Sequence, residues 1–206
     1  MITSKQEFKP WELMLIDRMY DEPDDQYISS KKIIVSDCDG VLTDGNHVYT
    51  RQGKTAKIFG SCDKEALKFM MKCGWSFVFV TEDPTGIEIT EERLRDWKIT
   101  SYYSLPQLVL DVDNGVPKFC NANPEERKLL LEKLKSDGFY TVYIGDSNSD
   151  AWVGSEANLF CTPANSTDLA IENSKFTSKR DGGHGAFAEI LYEVYNITVS
   201  NKDLFV

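Results

Sequence analysis

The chain has 206 residues, 23 of them Lys or Arg and 33 Asp or Glu, which leaves a formal charge of −10 with both histidines neutral. That balance argues against a nucleic-acid or anionic-membrane surface, because phosphate backbones are bound by clustered basic side chains. The composition, 41% hydrophobic and 27% charged, is that of an ordinary globular protein, and the longest apolar stretch, around Trp75 to Val80, falls far short of the roughly 20 residues that cross a bilayer.

Five cysteines, Cys38, Cys62, Cys73, Cys120 and Cys161, are odd in number, lie far apart and form no C-x-x-C pair. They predict neither a disulfide framework nor a zinc knuckle. The N-terminal segment is interrupted by charges throughout and lacks the apolar core of a secretory signal. Together these features point to a reducing cytoplasm.

In chain order, residues 1–29 read as an N-terminal extension: a short helix with apolar periodicity (Trp11, Leu13, Leu15, Ile16, Met19), then an acidic linker containing Pro23. The rest, 30–206, reads as one domain. Residues 31–37 (KKIIVSD) form a short β-branched run ending in polar residues, as in a buried strand whose carboxyl tip faces solvent. Asp63 precedes a helix in which Ala66, Leu67, Met70 and Met71 follow i, i+3, i+4 spacing, with Gly74 as its stop. Residues 76–81 (SFVFVT) predict a second buried strand, and 89–97 a second helix. Asn123 caps a third helix, with Pro124 at its first position and two glutamates behind. Strands follow at 141–146 (TVYIGD) and 158–162 (NLFCT), and a closing helix at 186–195. Strands alternating with helices predict an α/β fold with a mostly parallel sheet covered on both faces. In such sheets ligands collect beyond the carboxyl ends of the strands.

Three of those ends are polar in the same way. The first carries Asp37-Cys38-Asp39-Gly40, the second Thr81-Glu82-Asp83, the third Gly145-Asp146-Ser147-Asn148-Ser149-Asp150. One aspartate at a strand end is more often a cap or turn residue than a ligand. A convergent set is costly unless a cation neutralises it or one member keeps a proton, and a hard, oxygen-preferring ion such as Mg²⁺ suits such a site. Asp37 and Asp39, two residues apart, point the same way, so that one can attack while the other handles a proton. The chemistry that follows is phosphoryl transfer through an aspartyl-phosphate.

The nine residues Asp37-Cys38-Asp39-Gly40-Val41-Leu42-Thr43-Asp44-Gly45 resemble the first motif of the haloacid dehalogenase-like hydrolases, in the branch of 3-deoxy-D-manno-octulosonate 8-phosphate and nine-carbon sugar acid phosphatases. Thr81 after an apolar strand, Gly145-Asp146-x-x-x-Asp150 after another, and Asp181-Gly182-Gly183-His184-Gly185-Ala186 near the C-terminus extend the resemblance over roughly residues 31 to 195. It implies a Rossmann-like three-layer sandwich. The interval from Gly45 to Asp63 has room only for a small β-hairpin flap, so no large cap domain is expected. The resemblance further implies Asp37 as nucleophile and Asp39 as acid–base, with Mg²⁺ held by Asp37, the Asp39 carbonyl and Asp146. Asp150 would stand behind these ligands, Thr81 would bind phosphoryl oxygens, and Asp63 and His184 would lie at the substrate. A homotetramer is implied as well.

The sequence departs from that branch in three places. Asn123 stands where a phosphate-binding lysine is expected, leaving Lys118, Arg127 and Lys128 as candidate cations or none at all. Lys118 is preferred, because a loop folds a side chain inward more easily than a helix rotates. Cys62 and His184 occupy positions where arginines are expected, and Lys64 is a possible substitute partner for a substrate carboxylate. The leading expectation is a Mg²⁺-dependent phosphatase of a small sugar-acid phosphate, a phosphomonoester substrate, with no nucleic-acid or membrane partner. The alternatives are a catalytically weak module attached to a sugar-activating pathway, or a phosphatase acting on a nucleotide.

Overall fold

A computed structural model describes residues 31–99, 101–102 and 118–200; the expected N-terminal extension, 1–29, lies outside them. The elements in order are β1 (Lys32–Asp37), β2 (Thr43–Thr50), β3 (Gly53–Phe59), α1 (Asp63–Lys72), β4 (Trp75–Thr81), α2 (Ile87–Asp96), β5 (Ser101–Tyr102) and β6 (Lys118–Asn121). They continue with α3 (Pro124–Ser136), β7 (Tyr140–Ile144), α4 (Asn148–Gly154), β8 (Leu159–Thr162), α5 (Asp168–Asn173), β9 (Phe176–Thr177) and α6 (Ala186–Ser200).

Seven strands form one sheet in the order β5-β6-β4-β1-β7-β8-β9, and every neighbouring pair is parallel. The four strands legible as apolar runs, β1, β4, β7 and β8, make its centre; short β6 and β5 extend one side and β9 the other. All six residues of β1 are buried. Its alternate side chains feed opposite layers, as the twofold pleat requires: Ile34 joins Phe77, Phe79, Leu67 and Phe187, while Ile33 and Val35 join Val78, Val80, Leu130 and Leu134. Helices α1, α2 and α6 thus cover one face, and α3, α4 and α5 the other, giving the expected three layers. From β1 the chain builds outward through β4 on one side and, later, through β7 on the other. The crevice at the tips of β1 and β7 is therefore the topological switch point where such sheets bind ligands.

Strands β2 and β3 pair antiparallel outside the main sheet, which is the expected hairpin flap. Helix α3 begins as the sequence dictates: the Asn123 side chain accepts from Glu126 N, Glu126 returns the bond to Asn123 N, and Pro124 occupies the first turn. No helix among the described residues is long and apolar enough to cross a membrane.

Candidate active site

The carboxyl tip of β1 turns sharply after Asp37. Leu42 N and Thr43 N both donate to Cys38 O, and the buried Thr43 hydroxyl accepts from Gly40 N at 3.2 Å and Gly45 N at 3.3 Å. Gly40 has φ +86°, and a Cβ there would lie 2.0 Å from Asp146 Oδ2. The turn thus presses its backbone against the aspartate at the tip of β7. Single oxygens of Asp37, Asp146 and Asp150 lie within 4.8 Å of one another. Of the three expected metal ligands, the fold brings together the Asp37 and Asp146 carboxylates, and it adds Asp150.

Asp150 is largely consumed by structure. It closes a capping box at the start of α4, where its Oδ2 accepts from Ser147 N at 3.0 Å, Ser147 Oγ at 2.6 Å and Asp146 N at 3.2 Å. Its Oδ1 accepts from Tyr143 OH at 2.5 Å and Arg127 Nη1 at 3.1 Å. Arg127, buried one turn inside α3, also donates from Nε to Ala122 O at 2.8 Å and from Nη1 to Tyr143 OH at 3.2 Å. The same Nη1 lies 2.9 Å from Asp37 Oδ1. Burial pushes Asp37 well above the usual carboxylate range; Arg127 opposes that shift, while Asp150, Asp146 and Asp39 add to it. Burial, reinforced by Asp150, lifts Asp146 to about 7. Among the described residues the Asp146 carboxylate makes no ion pair. Carboxylate oxygens brought this close, with no sulfur or imidazole ligand among them, fit a hard divalent cation such as Mg²⁺.

Asp39 belongs to a second cluster. Its Oδ2 lies 2.8 Å from Lys57 Nζ and accepts from Thr81 Oγ1 at 3.4 Å. Its Oδ1 accepts from the Thr43 hydroxyl at 3.4 Å and lies 3.6 Å from His47 Nε2, a buried ring nitrogen without a hydrogen-bond partner among the described residues. Lys57 also lies 2.8 Å from Asp83 Oδ2, which Lys54 reaches at 2.5 Å. Burial would raise Asp83, but the two lysines overcome it and hold the carboxyl well below its ordinary range. The Asp39 carboxylate therefore faces the flap rather than the Asp37–Asp146 cluster, leaving its backbone carbonyl as the metal-ligand expectation.

The other expected residues are placed as follows. Thr81 is buried at the β4 tip with its hydroxyl turned to Asp39. Lys118 opens β6 opposite Val78, three residues back from Thr81, or about 10 Å at roughly 3.3 Å per strand residue. Its backbone sits level with the middle of β4, and among the described side chains the cation beside Asp37 is Arg127. Lys128 turns outward to Glu156 Oε1 at 3.0 Å and over the Trp152 ring. Asp63 has no solvent exposure; its Oδ1 accepts from Ala188 N at 3.2 Å, and Oδ2 has no partner among the described residues. It holds the start of α6. Lys64 donates to Asp96 O at the end of α2. His184 is exposed, its Nδ1 2.9 Å from Gly182 O, while Gly182 lies so near the first turn that a Cβ would come 1.8 Å from Gly40 O. The sequence reading missed Lys57, Lys54 and Tyr143. For the lysines the available signal was three-residue spacing on a hairpin strand, which ordinary solvated lysines share.

No family model matches the chain. Its structure is similar to the cobalt-bound deoxy-D-mannose-octulosonate 8-phosphate phosphatase of Haemophilus influenzae, with 22% identity, TM-score 0.63, and 83% of this chain and 91% of that one covered. It is similar to the 3-deoxy-D-manno-octulosonate 8-phosphate phosphatase of Moraxella catarrhalis in complex with magnesium, phosphate and KDO, at 19% identity and TM-score 0.63, covering 84% and 96%. The enzyme of that name from Yersinia pestis matches at 19% identity and TM-score 0.64, covering 85% and 87%. The chain has the haloacid dehalogenase-like fold of these phosphatases.

Proposed function

We propose that the chain is a Mg²⁺-dependent phosphatase of a small phosphorylated metabolite, with a sugar-acid phosphate as the substrate class. The observation that carries this reading is the convergence of Asp37, Asp146 and Asp150 on one spot beside the buried guanidinium of Arg127, at the switch point of the sheet. Asp37 attacks phosphorus, while Arg127 draws the anionic phosphoryl group toward an otherwise repellent carboxylate and stabilises the charge it carries. Asp39 gives a proton to the leaving oxygen and takes one back from the attacking water. Asp37, Asp146 and the Asp39 carbonyl are the residues to hold the ion, with Asp150 behind them. Bound there, Mg²⁺ neutralises charge between nucleophile and phosphate.

The substrate class is supported by similarity to phosphatases of an octulosonate phosphate, one of them holding KDO. Arg127, buried beside Asp37, supports a working catalyst over a weak assembly module, because it offers a cation where Asn123 replaces the expected lysine. The homotetramer rests on the family resemblance alone; Val48, Tyr49 and Ile58 on the flap, each more than half exposed, fit a contact between copies without setting their number, and a cytoplasmic location accords with five free cysteines. The test is hydrolysis of p-nitrophenyl phosphate with and without Mg²⁺, by the native protein and by Asp37→Asn. Release that needs the ion and disappears in the variant is expected; turnover surviving Asp37→Asn, or no turnover by the native protein, overturns the reading.

A further inference from the structure

Lys57 is not placed like a flap lysine that meets solvent. Its side chain has no exposure, and its ammonium meets three acceptors: Asp39 Oδ2 at 2.8 Å, Asp83 Oδ2 at 2.8 Å and Thr90 Oγ1 at 2.9 Å. An ammonium has three N–H groups, so none is left over for a substrate anion. Asp83 is itself fixed, its Oδ1 accepting from Thr85 Oγ1 at 3.0 Å and Gly86 N at 3.0 Å. The anchor therefore runs from the β4–α2 loop and α2, through Lys57, to one oxygen of Asp39. The two oxygens of that carboxylate become unequal. Oδ2 is tied down, whereas Oδ1 has only the long contact from Thr43 and faces His47.

We infer that Lys57 is a positioning residue that holds Asp39 by Oδ2 so that Oδ1 exchanges the proton with the leaving group; this rests on the phosphatase reading above. In the first half-reaction the Asp37–phosphorus bond forms, the bond from phosphorus to the leaving oxygen breaks, and the electron pair released on that oxygen takes the proton from Asp39 Oδ1. In the second, Oδ1 takes a proton from water as the water oxygen bonds to phosphorus and the Asp37–phosphorus bond breaks, which restores Asp39 to its starting state. Lys57 donates no proton in either half.

The leaving group distinguishes positioning from general scaffolding. Phenyl phosphate needs its leaving oxygen protonated, whereas 2,4-dinitrophenyl phosphate does not. Since kcat/KM reports steps up to aspartyl-phosphate formation, it isolates the first proton transfer. Lys57→Gln is expected to lower kcat/KM for phenyl phosphate about 10²-fold, at the lower end of what a positioned acid contributes. For 2,4-dinitrophenyl phosphate the fall should be no more than about five-fold, and Asp39→Asn should show the same selectivity. Lys57→Arg should restore part of the loss. If Lys57→Gln does not fold, Thr90→Val, which removes one acceptor of the ammonium, should show a smaller difference of the same sign. Equal losses on both substrates, or no loss on either, overturn the inference; a native protein inactive on both overturns the phosphatase reading itself.

Discussion

Arg127 reaches Asp37 from one full turn inside α3, its Nη1 2.9 Å from the Asp37 carboxylate while its Nε remains bonded to Ala122 O. Helical side chains lean back toward the N-terminus, so a residue four positions after the Asn123 cap covers the ground above it. Arg127→Leu leaves the buried Asp37 and Asp150 carboxyls without the cation and donor that join them. It is expected to cost about 3–5 kcal/mol of stability and to remove most p-nitrophenyl phosphate turnover. Arg127→Lys, which keeps the charge without the planar fork, should recover much of the stability and less of the activity. Denaturant titration and steady-state assays on both variants check this.

Gly40 sets how near Asp146 can come to the first turn. A Cβ at this position meets Asp146 Oδ2 at 2.0 Å on a backbone with φ +86°, so alanine both strains the turn and displaces the carboxylate. The expected result for Gly40→Ala is a loss of about 1–2 kcal/mol from backbone strain, together with a much higher Mg²⁺ concentration for half-maximal activity. A titration of activity against Mg²⁺ measures the second effect.

Mg²⁺ should raise the melting temperature, and by more at pH 8 than at pH 6. Burial lifts Asp146 to about 7, so below that pH the ion must displace a proton from this ligand, whereas above it the ligand is already ionised. Thermal melts at fixed Mg²⁺ across that range should show the stabilisation growing with pH. Asp146→Asn should abolish the Mg²⁺ effect.

Asp63 predicts a pH dependence of the opposite sign in the protein without added metal. Burial raises its carboxyl from 3.8 to about 6 despite the Ala188 N–H and Arg93. Between those values the native state binds more protons than the unfolded chain, so this group's contribution to stability falls as pH rises and stays low above about 6. Asp63→Asn keeps the acceptor for Ala188 N and removes the titration. It should gain on the native protein by about 2–3 kcal/mol between pH 4 and 7, at roughly 1.4 kcal/mol per unit. Denaturant midpoints at several pH values test it.

Much of the fold was legible because its signals are local. The apolar runs at β1, β4, β7 and β8 report burial on both faces through side-chain periodicity alone. The Asn123-Pro124-Glu126 start of α3 is capping chemistry contained within four residues. The edge strands β5 and β9 carry two residues each, too few for a period to register, and the inner strand β6 has only two apolar residues, Phe119 and Cys120, among its four. At the site, Asp37, Asp39, Asp146 and Asp150 were identifiable from their place at strand tips, since topology alone sends those tips to one rim.

The sequence by itself therefore determined the layered α/β architecture, the hairpin in place of a large cap, and the acidic rim. Tertiary structure decided which cations meet that rim. The parallel register of β6 on β4 sets Lys118 opposite Val78, the lean of α3 brings Arg127 to Asp37, and the docking of the flap on α2 buries Lys57 between Asp39 and Asp83. A long basic side chain carries no local mark of its partner, because the partner is chosen by packing between elements distant in sequence.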